Sequence, residues 1–287
     1  MPIKPVNDEF IIAGEMTLHY VQWGTEGTPV VCVHGLTANA FCFQALADAL
    51  SPSYRVFAYD LRGRGDSDRP EDDYSIPTHA NDLLELLDGL GLEKPVIVGH
   101  SLGASIALYF AAQYPERISK LVLLDGGAPV SWKTPEEAPA WLINSVARLG
   151  TPSPSYKAYV EQLQALPFLG PYWNEYAEIY VKNDIRPEGD GSVVAKADVQ
   201  AIIEEAKRAH EGRLEEQWAN VHVPTLLLRA GQQLMQENDQ VLSEAAANRV
   251  QQSIADCQLV SYPTLNHYTI LFGVEPGPME ELQKFIG

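Results

Sequence analysis

The chain has 287 residues, 46% hydrophobic and 20% charged, which suits one large globular domain or one domain carrying an insertion and argues against a disordered chain. A balance of 38 acidic against 20 basic residues gives a formal charge of −18. That charge opposes adhesion to phosphate backbones and anionic bilayers, so nucleic acid and membrane are not expected partners. Cys32, Cys42 and Cys257 are too few and too unpatterned for a disulfide framework or a metal site, and Cys32 lies inside an apolar run as a small core residue. The N-terminal stretch lacks the apolar region of a signal peptide, and no stretch approaches the length of a transmembrane helix. A cytoplasmic protein is expected.

In chain order, Glu9 to Ala13 and Met16 to Trp23, separated by Gly14, read as an opening hairpin. Val30 to Val33 is a strand, followed by a helix near Ala40 to Leu50, a strand from Arg55 to Tyr59, and a helix from about Ile76 to Leu90. Pro95-Val96-Ile97-Val98 leads into a further strand, then a helix to about Gln113, and then the strand Ser119 to Leu124. Strands alternating with helical patterns predict an α/β fold with a mostly parallel sheet. After Asp125-Gly126-Gly127 the alternation stops, and from about Ala128 to Asn220 only helical patterns broken by prolines are evident. Strands resume at Val223 to Leu228 and Gln258 to Tyr262. The expected organisation is therefore a core of residues 1–127 and 221–287 interrupted by a helical insertion, 128–220.

Gly99-His100-Ser101-Leu102-Gly103 joins an apolar strand to an apolar helix. Such a turn holds its serine on a strained backbone with the hydroxyl projecting from the tip of a sheet, and leaves the flanking positions room for little beyond glycine. A serine hydroxyl attacks well only when a base takes its proton, so Ser101 calls for a histidine oriented by a carboxylate. Seven histidines compete for that place. His267, in Pro263-Thr264-Leu265-Asn266-His267-Tyr268, falls just past the carboxyl end of the final strand, where catalytic groups of open α/β sheets gather.

With these motifs the chain resembles the α/β-hydrolase family over nearly its whole length. The resemblance rests on His34-Gly35-Leu36, on Asp60-Leu61-Arg62-Gly63-Arg64-Gly65-Asp66-Ser67, on the Ser101 turn and on His267. It implies an eight-stranded, mostly parallel sheet with the first short strands antiparallel, and a cap formed by the insertion. It also implies an oxyanion hole from the backbone N–H groups of Leu36 and Leu102. The Asp60 to Ser67 segment reads as a turn-stabilising network.

The acid departs from the family's commonest pattern. That pattern places an Asp three residues beyond a Gly closing the seventh sheet strand, where Gly231-Gln232-Gln233-Leu234 offers leucine. Asp239 and Glu237 lie further along. Another family arrangement, seen among haloalkane dehalogenases, sets the acid at the end of the sixth strand, and Asp125 occupies that position. Asp125 is the preferred acid, with Asp239 and Glu237 as alternatives and a purely structural role for Asp125 as a third reading.

The insertion holds Trp132, Trp141, Tyr156, Tyr159, Phe168, Tyr172, Trp173, Tyr176 and Tyr180. They read either as ordinary helix packing or as a roof over an apolar small-molecule substrate. The function expected is a cofactor-free serine esterase or lactonase working through an acyl-enzyme. Serine at the turn argues against dehalogenase and epoxide hydrolase chemistry, in which an aspartate attacks. Proline iminopeptidase, with Glu136, Glu137 or Glu175 holding a substrate amine, is an alternative, as are amidase, C–C hydrolase, lyase or haloperoxidase chemistry and a non-catalytic ligand receptor. The sequence leaves the oligomeric state open.

Overall fold

The computed structural model describes residues 1–129 and 137–287. An eight-stranded sheet runs through the molecule in the order β1-β2-β4-β3-β5-β6-β9-β10. Its strands are β1 (Asn7–Ala13), β2 (Met16–Trp23), β3 (Thr28–Val33), β4 (Tyr54–Tyr59), β5 (Val96–His100), β6 (Lys120–Leu124), β9 (Thr225–Ala230) and β10 (Cys257–Tyr262). β1 and β2 pair antiparallel, as do β2 and β4, and the remaining pairs are parallel. The expected α/β architecture and mostly parallel sheet are found.

The central strands read as unbroken apolar runs because both their faces are covered. Val30, Cys32, Val96, Val98, Val122 and Leu124 face one layer, while Val31, Val33, Ile97, Leu121 and Leu123 face the other. On the first side lie α1 (Gln44–Leu50) and α10 (Gly277–Ile286); on the second lie α2 (Ile76–Gly89), α3 (Leu102–Gln113) and α9 (Glu244–Ser253). Every residue of α3 from Gly103 to Leu108 is buried, as befits a helix apolar all round at the middle of the sheet. α2 begins where Ser75 accepts a hydrogen bond from the Thr78 amide, with proline in the first turn.

Between β6 and β9 the chain forms α4 (Ala140–Ala147), α5 (Tyr156–Gln164), α6 (Glu175–Asn183), α7 (Val199–Arg208) and the short α8 (Leu214–Gln217). One expectation fails here. The segment also contains a small antiparallel hairpin, β7 (Ile185–Pro187) with β8 (Val193–Ala195), and all three β8 residues are buried. Three-residue strands carry too little periodicity to be read from sequence.

Most of this segment packs on the first layer, contributing Trp141, Tyr159, Phe168 and Tyr180 to it, while Leu214 of α8 and the following Trp218 join the second. Polar ties fasten it there: Asn266 Nδ2 donates to Phe168 O at 2.9 Å, Asn174 Nδ2 to Phe272 O at 2.7 Å and Asn39 Nδ2 to Tyr180 O at 3.2 Å.

Candidate active site

Ser101 stands between β5 and α3 with φ 57° and ψ −118°, a region in which non-glycine residues are strained. Its hydroxyl does not cap α3. The neighbouring glycines explain how so sharp a turn closes. A Cβ on Gly103 would sit 1.9 Å from Val33 O, and one on Gly99 would sit 2.2 Å from Gly103 O. Strand and helix therefore approach to a distance that no side chain survives.

Asp125 follows β6, completely buried, and also lies at positive φ, 46°. Its amide donates to Leu228 O at 2.8 Å, and its Oδ1 accepts the Ala230 N–H at 3.0 Å, so the adjacent strand β9 holds both backbone and carboxylate. Oδ2 then lies 2.7 Å from His267 Nδ1. This bond assigns the proton to Nδ1 and leaves Nε2 as the basic nitrogen. The structure thus brings Asp125 to the histidine, and the alternatives are engaged elsewhere. The Asp239 carboxylate closes its own loop, accepting from the amides of Leu234, Met235 and Gln236 at 2.7, 2.7 and 2.8 Å, while Glu237 is exposed. Leu234, the residue at the family's usual acid position, is buried in the core.

His267 is 5% exposed and enclosed by rings: His100 at 4.4 Å between centroids, Tyr268 at 5.5 Å and Trp141 of α4 at 5.9 Å. His100, the residue before Ser101, donates from Nε2 to His267 O at 2.9 Å. Burial, reinforced by the neighbouring His267, pushes the His100 pKa well below the ordinary histidine value, so it is a neutral strut between the Ser101 turn and the His267 loop. Among the described residues no hydrogen bond joins the Ser101 hydroxyl to His267. Contacts of this kind commonly tighten only when substrate arrives.

The amide N–H groups of Leu36 and Leu102 are not taken up by a hydrogen bond among the described residues. The Leu36 loop is tightly held. His34 Nδ1 donates to Gly35 O at 2.8 Å while its Nε2 accepts the Leu61 N–H at 3.0 Å, a pattern that only the neutral ring satisfies. Burial lowers its pKa to about 4, in agreement. Arg64 Nε donates to Leu36 O at 3.0 Å, and its Nη2 pairs with Glu205 of α7. The loop after β4 is a network, as read from sequence: the buried Asp60 accepts from the Ala40 and Asp66 amides and bonds His19 Nδ1 at 2.7 Å.

Sequence reasoning missed the anchoring parts of His34, His100 and Arg64, and also Arg148, whose guanidinium is buried among the aromatics between β6 and β9. Their one sequence signal is a polar residue inside an apolar surrounding, which most buried polar residues share. Of the nine aromatics, Trp141 reaches the His267 ring, Phe168 stacks on Tyr268 at 5.0 Å, and Tyr159 and Tyr180 are buried. Tyr156, Tyr172, Trp173 and Tyr176 are half-buried and bond through their polar tips to Glu178, Gln232, Glu178 and Asp48. Trp132 and Glu136 lie outside the described residues.

A family model described as the alpha/beta hydrolase fold matches residues 28–274. The chain belongs to the α/β-hydrolase family. This member of the family is 28% identical over 258 residues to the 2-(acetamidomethylene)succinate hydrolase of Mesorhizobium japonicum, covering 89% of this chain and 86% of that one. A crystal structure of E-2-(acetamidomethylene)succinate hydrolase superposes with a TM-score of 0.81 at 25% identity, covering 98% of both chains. A cis-3-alkyl-4-alkyloxetan-2-one decarboxylase of Shewanella oneidensis is 38% identical over 130 residues, 44% of this chain and 41% of that one. The first curated relatives are matched over less than half their length. An uncharacterized protein of Mycobacterium tuberculosis, 38% identical over 35% of this chain, is covered for 30% of its own. Among the described residues no helix is long and apolar enough to cross a membrane.

Proposed function

We propose that this α/β hydrolase is a serine hydrolase that cleaves a small carboxylic ester or lactone through an acyl-enzyme, without a cofactor. The observation that carries the reading is the 2.7 Å contact from buried Asp125 to His267 Nδ1 beside the strained serine turn. In this mechanism His267 Nε2 takes the Ser101 proton as Oγ attacks the carbonyl carbon. The oxygen that becomes negative is met by the Leu36 and Leu102 amides, which need no reorganisation. His267 next protonates the leaving alkoxide, or the lactone's own ring oxygen, and water attacks the acyl-enzyme with the same base. Asp125 keeps the Nδ1 proton in place and stabilises the imidazolium throughout.

The segment 128–220 acts as a cap in this reading, with Trp141 against the base and Phe168 against Tyr268 forming an apolar ceiling. The M. japonicum relative is named as a hydrolase and aligns along almost the whole chain, which supports hydrolysis over the other chemistries of the fold. An iminopeptidase reading gains nothing from Glu175, which is exposed at the start of α6.

The test is labelling by a fluorophosphonate, which an activated serine captures and a receptor pocket does not. Wild type should label stoichiometrically and release 4-nitrophenol from 4-nitrophenyl acetate in a burst. Ser101→Ala should do neither. Nitrophenol release by Ser101→Ala at the wild-type rate refutes the proposal.

A further inference from the structure

Arg148 immediately follows α4, and its side chain is nine-tenths buried. Its Nη2 is engaged, 3.0 Å from Asp184 Oδ2 and 3.3 Å from Thr37 O. Its Nη1 is buried and has no hydrogen-bond partner among the described residues. A guanidinium presents its donors in a fixed planar fork, and a buried donor left unmatched is costly.

The surroundings show what Nη1 serves. Arg148 lines a cavity of about 20 Å³ whose other walls include Thr37, Ser145, Phe168, Tyr180 and Tyr268. Thr37 directly follows Leu36 and Tyr268 directly follows His267, so two walls of this space are the immediate chain neighbours of those residues. Arg148, with Leu163 and Leu166, also borders a larger cavity of about 260 Å³.

The nearby hydroxyls do not compete for the free donor. Ser145 Oγ donates to Trp141 O at 2.8 Å, so Tyr268 is the donor in its 2.7 Å bond to Ser145. Asp184 is shared between Arg148 and the Tyr159 hydroxyl. Burial opposes the Arg148 charge, but Asp184 and the surrounding tyrosines hold the group firmly protonated.

We infer that Arg148 is a substrate-binding residue whose Nη1 receives a carboxylate borne by the acyl part of the substrate, so that this hydrolase acts on half-esters or lactones of short dicarboxylic acids. The inference rests on the serine hydrolase reading above and narrows its substrate from an apolar one to an anionic one. The chain's charge of −18 repels anions in general, so a single buried cation is what admits this one.

The test compares monomethyl succinate with methyl 4-methylpentanoate, in which an isopropyl group replaces the carboxylate at equal shape. Release of methanol is followed for each. Wild type should favour the half-ester in kcat/KM by about 10- to 100-fold, the span expected of one charge-assisted hydrogen bond. Arg148→Met should collapse that ratio to one or below, and Arg148→Lys, which keeps the charge but not the fork, should retain part of it. A wild-type ratio at or below one overturns the inference, as does an Arg148→Met enzyme that loses both activities with the ratio intact. If Arg148→Met fails to fold, succinate should still compete with turnover of the neutral ester in wild type while dimethyl succinamide does not; no competition by succinate overturns the inference. Fluorophosphonate labelling separates the two levels: a wild type that does not label refutes the serine hydrolase, whereas one that labels but ignores the carboxylate refutes only the anionic substrate.

Discussion

Replacing Asp125 by asparagine tests the site in a way the geometry makes specific. The amide is almost isosteric with the carboxylate, so the fold should survive. Its orientation, however, is dictated by β9. The Ala230 N–H needs an acceptor at the position of Oδ1, 3.0 Å away, so the asparagine carbonyl must stay there and its NH₂ must turn to His267 Nδ1 at 2.7 Å. An NH₂ donates, so Nδ1 has to accept, and the imidazole proton moves to Nε2. A ring carrying its proton on Nε2 cannot take one from Ser101. The wrong tautomer in a serine triad costs about 10⁴ in kcat, roughly 5 kcal/mol of transition-state stabilisation. The assay is steady-state hydrolysis of 4-nitrophenyl acetate from pH 6 to 10, together with thermal melting to show an intact fold. Activity of Asp125→Asn within tenfold of wild type would refute the assignment of the acid. Asp239→Asn and Glu237→Gln should not lower the catalytic rate of the folded enzyme, because neither carboxylate contacts the histidine.

Gly103→Ala forces a Cβ to 1.9 Å from Val33 O, so it should destabilise by about 3 kcal/mol or prevent folding, read from melting temperature and soluble yield; a melting temperature equal to wild type contradicts the close approach of β3 and α3. His19 should make stability fall in alkali. Burial opposes its charge, yet Asp60 and Asp8 outweigh that and raise its pKa from 6.5 to about 9, so the stabilisation is complete below pH 6.5 and is lost as pH climbs through 9. The loss should approach about 3 kcal/mol, and His19→Gln should flatten that stretch of the stability profile; an equal slope in both proteins counts against the pair. Arg64→Met removes the donor to Leu36 O and strands buried Glu205, so it should cost about 3–5 kcal/mol of stability, and a stability unchanged in urea titration would show the pair to be dispensable.

Much of this was legible because the relevant signals are local. The runs in β3, β5 and β6 announce strands covered on both faces, and the glycines at 99 and 103 announce the tight turn around Ser101. His267 stood out from its place after the last strand, and the structure sets its Nδ1 against Asp125. The acid remained a choice among three residues, because no spacing tells which carboxylate the sheet order brings to a histidine 142 positions away. The β7–β8 hairpin was missed since three residues cannot display alternation. Arg148 stayed hidden for a deeper reason. Its neighbours along the chain, Ala147 and Leu149, belong to a helix end with an ordinary amphipathic pattern, and only the tertiary packing of Thr37 and Tyr268 against it turns a surface-type residue into a buried cation.

The position of the proposed acid follows from how the two candidate loops use their polar groups. After β9 the loop turns inward at Leu234, which is buried, and Asp239 must accept three amides to close the turn. A carboxylate so committed cannot also orient a histidine without leaving those donors bare, at about 1–3 kcal/mol for each that is buried. Asp125 has the opposite economy. Its positive φ costs about 1–3 kcal/mol, less for an aspartate than for a bulky residue, and the Leu228 and Ala230 contacts from one neighbouring strand hold it there. Oδ1 is then held by the Ala230 N–H and Oδ2 points to the histidine. No mobile loop intervenes between the sheet and the acid, so the orientation of His267 is set by β6 and β9 on one side and by the His100 strut from β5 on the other. The rigidity of three adjacent parallel strands is thereby transmitted to His267, as the proposed proton transfer requires.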